Sequence, residues 1–385
     1  MLYTLSRKLI AVPLILISLF YTTFLTASTP SPVLNITTIN DYIDENIKDN
    51  YNFFGLANYY GKIRVFILHE DTLISISETP YFLHQKDKLI IAGRYKALVI
   101  ASTSSTVSFS KEKLIFHNNN EISQNFYADE SISGRIIVKS NLTSADGSLY
   151  NLKYWHLWSP LKYLSNFTEK LFVGLNDNVT KNWAINIIFF AFLFKFFFIP
   201  IEILLSRSKR KVAYIKNHIK PLLSDVTARK TGAEAHDELM KIYREAGVTP
   251  FYTLRPLIYT IFPMPFLIAI FNVLGDSYQL SDQSFWWIND LAYPDSIYKL
   301  SFEIPLMGNS LHLLPVFMLL ISTMSALLHS SQNAKLSILI NQKVNIFLLG
   351  ALFSIIFYPF PAALILFWVS TTIFGSILQQ FIKND

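Results

Sequence analysis

The feature that most constrains this 385-residue chain is a series of long apolar blocks beginning at Trp183. A helix over 184–205 rises about 1.5 Å per residue and so crosses a hydrocarbon core of about 30 Å. Further blocks at 257–274, 311–328, 344–358 and 362–381 predict four more spans. In lipid, every backbone polar group must be satisfied inside the structure, so such blocks fold as helices. Composition agrees: 51% of residues are hydrophobic and the mean hydropathy is +0.33. The chain has no cysteine, which excludes disulfides, thiolate chemistry, Cys-based metal sites and a lipoprotein anchor.

The N-terminal half is different material. Arg7 and Lys8 precede an apolar run, Leu9 to Ala27, that ends at Ser28-Thr29-Pro30. It exceeds a usual signal-peptide core of about 7–15 residues, which favours an uncleaved anchor over 1–28, with a cleaved signal as the alternative. Residues 29–157 then hold short β-branched runs such as Ile63–Ile67, Leu89–Ile91 and Ala97–Ile100, separated by polar turns. That spacing predicts an extracytoplasmic antiparallel β sandwich, and no catalytic constellation stands out within it. From Pro160, Leu161, Leu164, Phe167, Leu171 and Leu175 recur at helical spacing. They predict an amphipathic helix over 160–175 at the membrane interface, or else an ordinary helix packed on the β domain.

Charge sets the orientation. Residues 206–254 carry Arg207, Lys209, Arg210, Lys211, Lys216, Lys220, Arg229, Lys230, Lys241 and Arg244. The 277–310 segment has Asp282, Asp290, Asp295 and Glu303 against Lys299. The positive-inside rule places the first segment in the cytoplasm and the second outside. Lys335 and Lys343 put the next loop inside, and Pro359-Phe360-Pro361 turns outside. With the anchor, six spans result, both termini being cytoplasmic in a bacterial inner membrane. Val212, Ile215, Ile219, Leu222 and Val226 form one a/d-type seam, and Ala235, Leu239, Ile242 and Ala246 another, with Thr231-Gly232 between them. Two short helices in a hairpin are predicted. Arg207, Lys209, Arg210, Lys211, Lys216 and Lys220 are its candidate recruitment surface for anionic headgroups, ribosomal RNA or a targeting factor; a merely solvated face is the alternative.

Certain residues then fall in a familiar order: Asn182-Trp183-Ala184, Lys195 with Pro200, and the hairpin ending in Ile242-Tyr243-Arg244-Glu245-Ala246-Gly247-Val248-Thr249-Pro250. Met264-Pro265-Phe266, Trp287-Ile288-Asn289-Asp290-Leu291 and Phe360-Pro361-Ala362-Ala363-Leu364 through Trp368 to Gln379-Gln380 follow. Over 158–382 the chain resembles the YidC insertases and their mitochondrial and thylakoid relatives. It departs from them in having Lys195 where Arg is usual and Thr249-Pro250 where Asn-Pro is usual. Its approach over 255–263 is longer and lacks the usual glutamine, and its extracytoplasmic domain is short.

The resemblance implies a five-helix insertase core with a hydrophilic groove, open to the cytoplasm and to lipid and closed outside. It implies insertion and folding of nascent membrane proteins, with a Sec translocon, the ribosome and anionic lipids as further partners, and no DNA. The alternative is a specialised or non-catalytic assembly factor. No phosphate-binding Gly-x-x-x-x-Gly-Lys-Ser/Thr occurs, so no nucleotide hydrolysis and no cofactor is expected. Lys195, mid-span, is the foremost groove residue, because a charge there is costly and its default reading is functional. Glu202 falls on the same helical face near the cytoplasmic mouth, where it is expected to meet interfacial water or a hairpin base. Gln379 and Gln380 are placed at the groove mouth, and His312 and Asn345 at span ends as interface residues. A membrane enzyme lacks support: the spans hold no Cys, no His-Glu-x-x-His and no paired Asp. Secondary transport would prefer two similar halves, and none is visible.

Overall fold

The computed structural model describes residues 33–35, 39–49, 51, 53–76, 80–84, 86–101, 106–110, 113–117, 131–142, 144–305, 307–328 and 336–383. The expected N-terminal anchor, Lys335 and the side chains of Lys343 and Gln379 lie outside the described residues.

Nine strands form two antiparallel sheets among the described residues of the N-terminal half. They are β1 (Val33–Asn35), β2 (Arg64–His69), β3 (Thr72–Ile76), β4 (Tyr81–Phe82), β5 (Lys88–Ala92), β6 (Lys96–Ala101), β7 (Thr106–Ser110), β8 (Lys113–His117) and β9 (Ser131–Val138). The larger sheet runs β1-β9-β6-β5-β2-β3 and the smaller β4-β7-β8. Between them lie Val65, Ile67, Leu89, Ile91, Leu98 and Ile100 of the first sheet and Leu83, Val107 and Leu114 on the other side, with Ile43 of helix α1 (Ile39–Asn46) and Ile47 just after it. The opposite face of the large sheet buries Phe66, Leu68, Ile90 and Ala97 under Leu142 and Leu152. Burial on both faces explains why β2 reads as a continuous apolar run rather than an alternating one. Glu70 and Asp71 close the β2–β3 hairpin with φ of 43° and 70°, the paired left-handed conformation that a two-residue turn between twisted strands requires.

The remaining helices are α2 (Ser159–Asn178), α3 (Trp183–Arg229), α4 (Gly232–Glu245), α5 (Arg255–Ile261), α6 (Met264–Asp276), α7 (Leu314–Leu328), α8 (Leu336–Phe357) and α9 (Ala362–Lys383). A hairpin, β10 (Ser296–Ile304) with β11 (Gly308–His312), precedes α7. By length and composition, α3 and the run Tyr252–Asp276 suffice to cross a membrane. Leu314–Ser325, Phe347–Phe357 and Ala362–Leu378 are shorter apolar stretches.

Three expectations need correction. The first span and the first hairpin arm are not separate helices. They form one 47-residue helix, about 70 Å long, with Pro200 and Pro221 inside it. Within the hairpin, Ile219, Val226 and Ala235 are buried, but Leu222 and Ala246 are exposed. Pro221 removes a backbone donor beside Leu222, and Ala246 is already the C-cap of α4, so neither belongs to the seam. Helix α2 also buries a different stripe. Leu161, Phe172 and Leu175 face inward with Ser165, Asn166, Thr168 and Glu169, while Tyr163 and Phe167 point outward. The buried Glu169 is matched by Lys153 at 2.7 Å and by the Tyr154 hydroxyl at 3.3 Å.

The two halves join through a shared aromatic cluster, in which Phe53, Tyr60 and Tyr95 pack against the helical half, and through Arg94. Arg94, in the β5–β6 turn, is 4% exposed. Its Nε and Nη2 donate to the Gly275 carbonyl at 2.9 and 2.7 Å, and Nη2 also to the Ala292 carbonyl at 2.9 Å. Nη1 lies 3.4 Å from Asp49 Oδ2. The rings of Phe53, Tyr60 and Tyr95 sit 4.6–4.9 Å from the guanidinium carbon. A Cβ on Gly275 would lie 2.4 Å from the Tyr60 hydroxyl, so glycine permits this contact at the C-terminal end of α6, where exposed carbonyls favour a cation.

Candidate functional site

Asn182 caps α3 by accepting from the Ile185 N–H, and α3 packs lengthwise on α9. The contact is largely aromatic: Phe194 against Phe367 at 5.8 Å and Phe192 against Phe374 at 5.5 Å between centroids. Lys195 interrupts this apolar seam. Its side chain lies over Gly375 of α9, where a Cβ would approach Nζ to 3.1 Å and Cε to 3.2 Å. Any larger residue there would crowd the ammonium.

Lys195 is not facing an open cavity alone. Its Nζ donates to Glu202 Oε1 at 2.7 Å, with the two side chains 22% and 20% exposed. The expectation that Glu202 meets interfacial water or a hairpin base is therefore corrected. Seven residues are nearly two full turns, so both groups share one helical face, about 10 Å apart along the axis, and long side chains bridge that distance. The other carboxylate oxygen, Oε2, is buried and has no hydrogen-bond partner among the described residues. Beside Gly375, Ser376 donates to the Thr372 carbonyl at 2.7 Å and accepts from the Ser325 hydroxyl of α7 at 2.5 Å. Thr323 of α7 and Ser354 of α8 add further buried hydroxyls without hydrogen-bond partners among the described residues. Polar groups thus recur along the inner surfaces of α3, α7, α8 and α9.

Gln380 is exposed and is not joined to Lys195 by any hydrogen bond among the described residues. Asn345 is exposed, but His312 is fully buried, which corrects its placement as an interface residue. Its Nδ1 lies 2.8 Å from the Tyr358 carbonyl and its backbone N–H donates to the Tyr358 hydroxyl. The rings stack at 4.5 Å, fixing the β10–β11 hairpin to the end of α8. The acidic loop is partly structural too. Asp295 accepts from the Leu313 and Leu314 N–H groups and from Trp287 Nε1, so it caps α7 from eighteen residues away. Burial pushes its carboxyl up, and the donors only partly hold it down.

Arg207, Lys209, Arg210, Lys211, Lys216 and Lys220 are all exposed along α3 beyond Leu205. The ion pairs of the hairpin lie elsewhere, at Asp225–Arg229, Lys230–Glu238 and Lys241–Glu245. The six basic side chains of the first arm are spread around α3, with Arg207, Arg210 and Lys211 on one side and Lys209, Lys216 and Lys220 on the other. Sequence reasoning missed Arg94. The signal was present in Gly93-Arg94-Tyr95, an arginine between two strands of apolar residues, but its partners are some 180 residues away.

The description "60Kd inner membrane protein" belongs to the family whose profile matches residues 175–385, more than half of the chain. The membrane protein insertase YidC of Chlorobaculum tepidum is 31% identical over 228 residues, covering 59% of this chain and 37% of that one. That of Chloroherpeton thalassium is 30% identical over 251 residues, covering 64% and 41%. That of Treponema denticola is 29% identical over 238 residues, covering 59% and 38%. The chain spans about two fifths of the length of these relatives. A crystal structure of an active YidC insertase with its first transmembrane domain resolved aligns with a TM-score of 0.37 at 15% identity, over 82% of this chain and 83% of that one. The helical half with its buried polar seam and the family match over 175–385 together establish that the chain belongs to the 60Kd inner membrane protein family, as a divergent relative of the YidC insertases.

Proposed function

We propose that this protein inserts and folds nascent proteins into the bacterial inner membrane through a hydrophilic groove among α3, α7, α8 and α9, without nucleotide hydrolysis or any enzymatic step. The observation that carries the reading is the Lys195–Glu202 pair, set with neighbouring hydroxyls inside helices that are otherwise apolar. On insertion scales a central charge costs about 2.5–3.5 kcal/mol, so two charges at this depth call for water around them. A hydrated half-membrane cavity shortens the apolar distance that a client's polar tail must cross, where each unsatisfied polar group costs several kcal/mol. Partitioning of the client's own apolar segment into lipid supplies the driving free energy.

In this reading six spans cross the membrane with both termini cytoplasmic, and the β domain over 29–157 lies outside. The insertase domain covers 158–382, with α2 lying in the interface. The exposed basic residues from Arg207 to Lys220 recruit the ribosome or a Sec-type channel, or rest on anionic headgroups. Expression in a bacterium depleted of its own insertase is the test. Restored growth and restored insertion of a Sec-independent client support the reading; a well-folded, membrane-integrated protein that restores neither refutes it. The internally neutralised Lys195 favours one second reading, a specialised assembly factor with a narrow client range. That reading predicts rescue of particular clients without rescue of growth.

A further inference from the structure

Resting on the groove reading, we propose that Glu202 is an internal competitor for acidic client segments and sets the charge selectivity of the groove. Lys195 Nζ is already occupied by Glu202 Oε1 at 2.7 Å, and both side chains are about four-fifths covered. A client carboxylate therefore reaches the ammonium only by displacing a carboxylate. One ion pair exists before the exchange and one after it, so an acidic tail gains little Coulombic advantage over a neutral one.

Three features make the exchange feasible rather than locked. Glu202 uses one oxygen on Lys195, and its Oε2 is buried with no hydrogen-bond partner among the described residues, so the carboxylate is incompletely satisfied where it is. The geometry is also uneven. Helical side chains lean toward the N-terminus, which suits Glu202, whereas Lys195 must extend the opposite way to meet it. Finally, Gly375 leaves the lysine stem a notch on α9, with a hypothetical Cβ only 3.1 Å from Nζ. A side chain at that position would close the space the ammonium occupies.

The test compares two matched single-span clients in proteoliposomes, one with a neutral translocated tail and one with acidic residues in it. Each is inserted by the parent, by Glu202→Gln and by the double variant Lys195→Gln/Glu202→Gln. The readout is the ratio of acidic to neutral insertion, which a merely structural role for Glu202 would not move. Glu202→Gln is expected to raise the ratio on the order of fivefold, about 1 kcal/mol at 1.4 kcal/mol per decade. The double variant is expected to return it to the parental value. Glu202→Ala moves the ratio the same way and decides the matter if the glutamine variant is recovered in low yield. A parent that inserts both clients while both Glu202 variants leave the ratio unchanged overturns this inference and leaves the insertase reading standing. A parent that inserts neither client overturns both.

Discussion

Replacing Arg94 should loosen the joint between the β domain and the helical half while leaving each folded. Arg94 makes three charge-assisted hydrogen bonds to carbonyls, two to Gly275 and one to Ala292, and it sits beside the buried Asp49. Hydrogen bonds to charged groups are worth about 1.5–3 kcal/mol each, but the three share one guanidinium and do not add. Arg94→Ala also strands Asp49, which keeps the Tyr51 N–H and the Tyr293 hydroxyl as donors. Breaking a buried pair by removing one partner costs about 3–5 kcal/mol, and that range is expected here. Arg94→Lys should recover part of it, since an ammonium cannot fork between two carbonyls. Hydrogen exchange in nanodiscs reads the opening directly at Gly93, whose N–H donates to the Lys96 carbonyl, and at Ala292, whose N–H donates to Asp290. A loss of 3–5 kcal/mol means roughly 100-fold or more faster exchange at both amides, with the β2–β5 ladder unaffected. Protection at Gly93 and Ala292 that stays within tenfold of the parent would refute the reasoning and reduce Arg94 to a bystander of the aromatic cluster.

Single cysteines introduced into this cysteine-free chain at Ser104, Lys230 and Asn289 should label from outside, inside and outside respectively; outside labelling at Lys230 would overturn the orientation. Replacing 212–246 by a short flexible linker should leave a folded, membrane-integrated protein with weakened insertion, because the hairpin buries few side chains; degradation of that variant would make the hairpin a structural clamp. The β2–β5 edge should be best protected in a window of pH. Burial pushes the Asp87 carboxyl up, but the His84 N–H and the His69 ring hold it below its ordinary 3.8, so its contribution is present above that value and lost as pH falls. His69 is raised above 6.5, chiefly by its hydrogen bond to Asp87, so its contribution is present below 6.5 and lost as pH rises through the raised value. Exchange protection of His69 and Lys88 amides should therefore peak between about 4 and 6.5 and flatten in Asp87→Asn.

What the sequence made legible followed from local periodicity. The strands Ile63–Ile67, Leu89–Ile91 and Ala97–Ile100 lie within or beside β2, β5 and β6, because a β-branched run buried on both faces has few alternatives. The helical half was legible from uninterrupted apolar length. The continuity of α3 through Leu205 was not, since the switch from apolar to basic composition at Ser206 marks a change of surroundings, and the backbone geometry does not change there. The amphipathic helix α2 was legible as well, but not its buried stripe: Phe167 is exposed while Ser165, Thr168 and Glu169 are buried, because Glu169 pairs with Lys153, outside the helix.

The site divides along the same line. Lys195 was identifiable because a charge in an apolar helix has a default interpretation that needs no partner to be known. Glu202 lies on the same helical face by simple arithmetic, yet which of several neighbours it meets depends on side-chain direction and on the space left by Gly375, a residue 180 positions away. The consequence is chemical as well as geometric. A lone Lys195 would make the groove electropositive, and removing it would penalise acidic clients. As one member of a nearly covered pair, its removal would instead strand the Glu202 carboxylate, and under the proposed function that cost would fall on every client passing the groove. Lys195→Ala should therefore slow both tails, the acidic one more, and Lys195→Gln/Glu202→Gln should insert the neutral tail faster than Lys195→Ala does. The reverse order would mean that Glu202 is solvated whether or not the lysine is present, and that the pair is a contact of convenience.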